Sequence, residues 1–188
     1  MRPLILALDR GGLPQRWIDP ELAVTYHAKG LVAWSLGEVV CIYRGGFQDN
    51  GHRSRIDTQA IIAIRGLTSG HRYRTIPALT NALLFARDRY VCAYCGGRYS
   101  AGNLSLDHVT PASHGGARSW NNAVTACRPC NARKADRTPQ QARMELLYVP
   151  YTPNRNEHFI LKNRTGIRAD QMEFLIAGVP STSRLYLS

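Results

Sequence analysis

Two Cys-x-x-Cys pairs, Cys92 with Cys95 and Cys127 with Cys130, bracket residues 96–126. A two-residue spacer lets both sulfurs of a pair converge on one ion while the amides of the turn point at them, and two such pairs complete a tetrahedral site. One pair alone would read equally well as a redox motif or as buried cysteines; the doubled motif selects a structural Zn²⁺ site. Because all four positions come from the protein, that site is closed. Its metal acts as a staple, and any catalysis needs a second centre. Gly96 and Gly97 after the first pair suit a turn that requires positive φ. Cys41 lies outside the pattern and reads as a small core residue.

At 188 residues, with 44% hydrophobic and 20% charged side chains, the chain has the composition of a folded protein and the length of one compact domain plus an accessory piece. The apolar run near the start, Pro3 to Leu8, is too short for a signal-peptide core or a membrane span. Without an export signal, five cysteines suggest thiol chemistry or metal binding in a reducing compartment rather than a disulfide framework. The expectation is therefore a cytoplasmic or nucleoid protein, or a phage-encoded one acting in the host cytoplasm, with no membrane partner. The net charge of +11 and pI of 9.9 favour a polyanionic partner, nucleic acid first. Of the 24 basic side chains all but Lys29, Lys134 and Lys162 are arginine. The guanidinium fork suits phosphate oxygens, although arginine-rich codon usage accounts for the ratio equally well.

Along the chain, Leu4–Leu8 reads as a short strand, and Pro20 after an Asp19 N-cap opens a helix through Ala28. Val39–Tyr43 and Thr58–Ile64 read as strands, separated by the glycine-rich and basic turn 44–55. Thr80 caps a short amphipathic helix that leads to the first cysteine pair. A helix is expected from Thr138 through Leu147, interrupted by Pro150 and Pro153, and a last one over 169–177. Three regions result: a basic mixed α/β N-terminal region (1–79), the cysteine-bearing module (80–147) and a C-terminal arm (148–188).

Between the pairs, Leu104, Leu106, Asp107 and His108 look like a strand that ends at a Pro-containing loop, and the second pair opens a helix carrying Asn131 and Lys134. A carboxylate and an amide oxygen suit Mg²⁺, which keeps few protein ligands; Asp107 and Asn131 are the candidates. His108 is the candidate general base, since an imidazole ordinarily titrates at about 6.5. Adjacent strand residues point to opposite faces, so the Asp107–His108 pair must stand at a strand end or the substrate must reach around it.

The runs CAYCGG, LDHVTPASHGG and WNNAVTACRPCNARK resemble the zinc-knuckle branch of the HNH endonucleases, whose fold is the ββα-metal module. The resemblance is close over these runs and loose in the flanks. Its three namesake positions fall on His108, Asn122 and Asn131. Asn122 is preferred to Asn121 because it stands five residues before Cys127. The resemblance implies that His108 is the base, that Asn122 braces the loop carrying it, and that Asn131 holds the metal together with Asp107. Asn replaces His at the third position, a change the family tolerates. It also places Lys134 at a phosphate or at the leaving group. His114 reads as a loop residue near the nucleic acid, and His27, His52, His71 and His158 carry no spacing signal.

The expectation is an α+β chain: a ββα-metal, treble-clef-like nuclease module stapled by a four-cysteine zinc site, flanked by a mixed α/β N-terminal arm and a helical C-terminal arm. The expected activity is metal-dependent hydrolysis of DNA phosphodiesters with Mg²⁺ (or Mn²⁺ or Ni²⁺), double-stranded DNA being the first candidate. Arg44, Arg53, Arg55, Arg118, Arg128, Arg133 and Arg137 are the candidate backbone contacts. The alternative is a non-catalytic, zinc-stapled nucleic-acid-binding protein. Either is compatible with a homodimer.

Overall fold

The computed structural model describes residues 3–47, 49, 51–67 and 76–186. In chain order its first elements are β1 (Ile5–Asp9), β2 (Pro14–Ile18), α1 (Pro20–Ala28), β3 (Val32–Phe47), β4 (Arg53–Ile64) and α2 (Asn81–Arg87). After them come β5 (Leu104–His108), β6 (Ala123–Cys127), α3 (Arg128–Lys134), α4 (Pro139–Ala142), α5 (Arg155–Lys162) and α6 (Ala169–Ile176). The architecture is mixed α and β, and no helix among the described residues is long and apolar enough to cross a membrane. The chain divides into two compact units, one formed by residues 1–75 and 163–178, the other by 76–162 and 179–188.

The first unit is built on a four-stranded sheet in the order β2-β1-β4-β3, with β1 parallel to β4 and the other pairs antiparallel. β1 is buried along its whole length, which explains its run of consecutive apolar residues: a central strand covered on both faces shows no alternation. Asp9 closes that strand, its buried carboxylate accepting from the Leu13 backbone and the Gln15 amide. The Asp19 carboxylate caps α1 by accepting from Leu22 N at 2.8 Å, with Pro20 in the first turn. Ile5, Ala7, Ile62 and Ile64 of the sheet pack with Ala23 of α1.

Both predicted strands of the β3–β4 pair are longer than the sequence suggests, and β2 was not foreseen. Gly45 and Gly46, read as part of a turn, lie inside β3. The register slips between Arg44 and Phe47, and a Cβ at Gly45 would collide with Ser54 on the neighbouring strand. Here glycine permits a close cross-strand approach rather than a reversal. Because β1 pairs only with residues 61–64 of β4, the remainder of β4 and its partner residues of β3 run on as a two-stranded ribbon.

The second unit has the small antiparallel pair β5–β6 followed by α3, a ββα arrangement. Leu84 and Phe85 of α2, Leu104, Trp120, Ala123 and Ala126 form its core together with Cys92 and Cys127. A buried ion pair reinforces this core. Arg87 is 0% exposed and grips Asp88 through two bonds of 2.8 and 3.1 Å. Its other donors reach the carbonyls of Trp120, Ala123 and Tyr151, while Asp88 accepts from Thr125 N of β6.

The helix expected over 138–147 stops at Ala142, because Arg143 turns into the left-handed region at φ +53° and Leu147 N then bonds Ala93 O in the first cysteine turn. α5, unforeseen beyond the prolines, is held by Glu157, whose buried carboxylate accepts from Asn154 N, Tyr151 and Ser183. The stretch 148–188 is shared between the units: α5 belongs to the second, whereas α6 joins the sheet of the first. There Gln171, 0% exposed, donates to the carbonyls of Leu4 and Ala60.

Candidate active site and metal centre

The four cysteine sulfurs Cys92, Cys95, Cys127 and Cys130 lie within 4.8 Å of one another, so they can hold one metal ion. Cys92 accepts from Tyr94 N at 3.5 Å, the amide-to-sulfur contact expected of such a turn. Burial pushes the Cys92 and Cys130 thiols up, as befits sulfurs that take a full negative charge only against a cation. The hydrogen bond to Tyr99 pulls the more exposed Cys95 down to about 7. Cys41 stands apart on β3, half-buried rather than in the core.

Beside this cluster a cleft of about 280 Å³ is lined by Leu106, Asp107, His108, Pro111, Ala112, Asn131, Lys134, Ala135 and Asp136. The elements around it explain why these side chains meet. β5 delivers Asp107 and His108 at its last two positions, the strand end that the pleat demands. β6 leads through Cys127 directly into α3, which carries Cys130 and Asn131 side by side and Lys134 one turn further on. One short helix therefore serves both the sulfur cluster and the cleft.

The Asn131 amide nitrogen donates to Ser105 Oγ at 2.9 Å, which leaves Oδ1 as its acceptor end. Asn122 does not line the cleft. Its Oδ1 accepts from Thr110 N at 2.8 Å, and its Nδ2 donates to the carbonyls of Thr110 and Ala117 at 3.0 and 2.9 Å. These bonds tie the loop after His108 to the start of β6.

Lys134 borders the cleft from its buried side. It is 1% exposed, donating to Asp107 Oδ1 at 2.9 Å and to the His108 carbonyl at 2.7 Å. The other carboxylate oxygen of Asp107 accepts from the Tyr94 hydroxyl. Burial first, and then that carboxylate, raise Tyr94 above the ordinary phenol range, so it stays a protonated donor.

Sequence reasoning missed Tyr94 and Asp136. Tyr94 was hidden inside the cysteine motif as a spacer residue. Asp136 reaches the cleft because α3 ends abruptly at Ala135, at φ +49°, and there it accepts from Ser113 Oγ of the loop; no spacing rule marks it. The seven arginines singled out for nucleic-acid contact are all exposed. Arg55 pairs with Asp57, and Arg53 donates to Gly45 O on the neighbouring strand. His114 is exposed on the loop, and His71 lies outside the described residues.

Residues 92–147 match the HNH endonuclease family. The chain is also 25% identical over 99 residues to the "Retron Vc95 putative HNH endonuclease" of Vibrio cholerae serotype O1 biovar El Tor, a match covering 50% of this chain and 48% of that protein. It thus spans about half the length of this relative.

Proposed function

We propose, from the HNH endonuclease module at residues 92–147, that the chain is a metal-dependent DNA endonuclease. The observation that carries this reading is the cleft in which Asp107, His108 and Asn131 converge next to the four-cysteine cluster. Zinc suits that cluster: a Zn–S bond of about 2.3 Å sets the sulfurs of a tetrahedron about 3.8 Å apart, and Cys95 and Cys127 already stand 4.0 Å apart. Its role is structural, holding the start of α3 against the first cysteine turn.

In the cleft, Asp107 and the Asn131 oxygen would hold one Mg²⁺, Mn²⁺ or Ni²⁺. When bound, such an ion neutralises phosphate charge and stabilises the leaving 3′ oxygen. His108, at the strand end, takes the proton from the attacking water. Asn122 keeps the loop that follows His108 in place through its three bonds to Thr110 and Ala117. Lys134 acts from beneath, on Asp107 and the His108 carbonyl, rather than on a phosphate.

Double-stranded DNA is the partner that the charge favours. Arg118, Arg128, Arg133 and Arg137 stand exposed on the module, and Arg44, Arg53 and Arg55 on the β3–β4 ribbon; a two-stranded ribbon is one of the shapes a DNA groove admits.

Incubation with supercoiled plasmid and Mg²⁺, followed by sequencing of the ends, tests the proposal. Nicked or linear product is expected with wild-type protein, and none with His108→Ala. Plasmid that is bound but stays supercoiled would instead leave the non-catalytic binding protein.

A further inference from the structure

Both oxygens of Asp107 are held by the protein, and by two different parts of it. Tyr94 reaches one from within the first cysteine turn, and Lys134 reaches the other from the last turn of α3. The carboxylate is 6% exposed yet lines the cleft. A carboxylate has about four lone-pair positions, so two donors on the protein side fix its plane and leave acceptor positions for a cation.

Each donor is itself anchored. The Tyr94 amide bonds Cys92 Sγ, and its ring packs on the cysteine core. Lys134 also grips the His108 carbonyl, so a single ammonium ties together the two functional residues at the end of β5.

We propose that Tyr94 and Lys134 are positioning residues that lock the Asp107 carboxylate for divalent-metal binding, Tyr94 transmitting the geometry of the cysteine cluster to the cleft. This rests on the reading of Asp107 as a cleft ligand. It gives the four-cysteine site a role beyond holding the fold: the turn that carries two of its sulfurs also sets the angle of a ligand in the neighbouring site. Outer partners of a metal ligand commonly contribute about 10- to 100-fold in metal affinity, and an isosteric loss of one hydroxyl exposes that contribution without creating a cavity.

The test is Mn²⁺ binding to the full chain without nucleic acid, followed by electron paramagnetic resonance of the free ion, for wild type, Tyr94→Phe, Lys134→Met and Asp107→Asn. Zinc content and thermal melt are measured on each. Tyr94→Phe is expected to keep its zinc and its melting temperature and to bind Mn²⁺ about 10-fold more weakly. Asp107→Asn is expected to lose the site.

Affinity within twofold of wild type in Tyr94→Phe, with Asp107→Asn still defective, overturns the positioning role and leaves the ligand assignment standing. Undiminished Mn²⁺ binding in Asp107→Asn overturns the ligand assignment itself, and the positioning role with it. Lys134→Met removes a buried charge partner and can unfold the module, so the inference stands or falls on Tyr94→Phe.

Discussion

The two units of this chain differ in what they bury beside their apolar residues. The sheet unit buries an apolar centre, Ile5 to Leu8 and Ala60 to Ile64, with Asp9, Thr58 and Gln171 as its buried polar side chains. The module unit has its own apolar centre, with Leu84, Phe85, Leu104, Trp120 and Ile160 among its members, and in addition buries Arg87, Asp88, Asp107, Thr125, Lys134, Glu157 and Ser183. Units of about this size bury only part of the surface that their unfolded chains expose, and the module adds to its apolar centre two buried ion pairs and four cysteines placed to hold a metal ion. Buried charges are costly unless each finds its partners, and one of these pairs, Asp107 with Lys134, lines the cleft.

The largest test of this contrast is removal of the staple. Cys92→Ser or Cys130→Ser, or stripping of the metal under denaturing chelation, should cost the module most of its stability, since structural zinc contributes roughly 10–16 kcal/mol in small modules. Hydrogen exchange should then rise across β5, β6 and α3 while β1 and the 61–64 stretch of β4 stay protected. Elemental analysis alongside a thermal melt checks it. An unchanged melt in both serine variants would remove the staple, and equal loss of protection in the sheet would erase the distinction between the units. Brief mild EDTA, by contrast, should stop cleavage reversibly and leave the melt in place.

Next in size is Arg87→Met. It strands the Asp88 carboxylate in the core and frees three carbonyls from their donor. Breaking a buried pair from one side costs about 3–5 kcal/mol, readable as a lower urea midpoint of the module. A loss below about 1 kcal/mol, the ordinary worth of a surface pair, would mean that water replaces the guanidinium and that the module does not depend on the pair.

The same contrast explains what could be read from the sequence. Patterns of residue type were readable wherever chemistry fixes spacing: the cysteine pairs, the strand ending in Asp107 and His108, the helix carrying Asn131. Local propensity also placed α1, through Asp19 and Pro20, and α6. What escaped depended on partners distant in sequence. Arg87 and Asp88 look like ordinary surface charges at a helix end until Trp120, Ala123 and Tyr151 supply the carbonyls. Lys134 reads as a contact to a phosphate or the leaving group from its place one turn beyond Asn131, and its burial depends on the approach of Asp107 and the His108 carbonyl. The helix over 138–147 is cut short at Ala142, Leu147 being pulled back to Ala93. The turn read over 44–55 is narrower than expected, β3 running on to Phe47 and β4 starting at Arg53, because Gly45 lets the strand pass close to Ser54 across the ribbon.

His108→Ala probes chemistry without touching either core. Loss of a general base should lower cleavage by about 10²–10⁴, with binding to plasmid and the thermal melt unaltered. Cleavage at the wild-type rate would remove His108 from the role of base. A matching fall in the melting temperature would show instead that its position at the end of β5 is structural.

The smallest effect concerns which unit holds the nucleic acid. Each arginine that neutralises a phosphate on duplex DNA contributes about 0.9 to the slope of log affinity against log salt. Replacing Arg44 and Arg53 with serine, on the exposed ribbon of the sheet unit, should flatten that slope by about 1.8, for all sequences alike. The same exchange at Arg118 and Arg133, on the module, should do as much. Fluorescence anisotropy of a labelled duplex between low and moderate salt measures both. Equal flattening makes the two units joint holders of the backbone. Flattening from the module pair alone confines the DNA to the cleft side, and the ribbon arginines then owe their exposure to solubility. A change limited to one duplex sequence, with the slope intact, would mean that the ribbon reads bases instead of tracking phosphates.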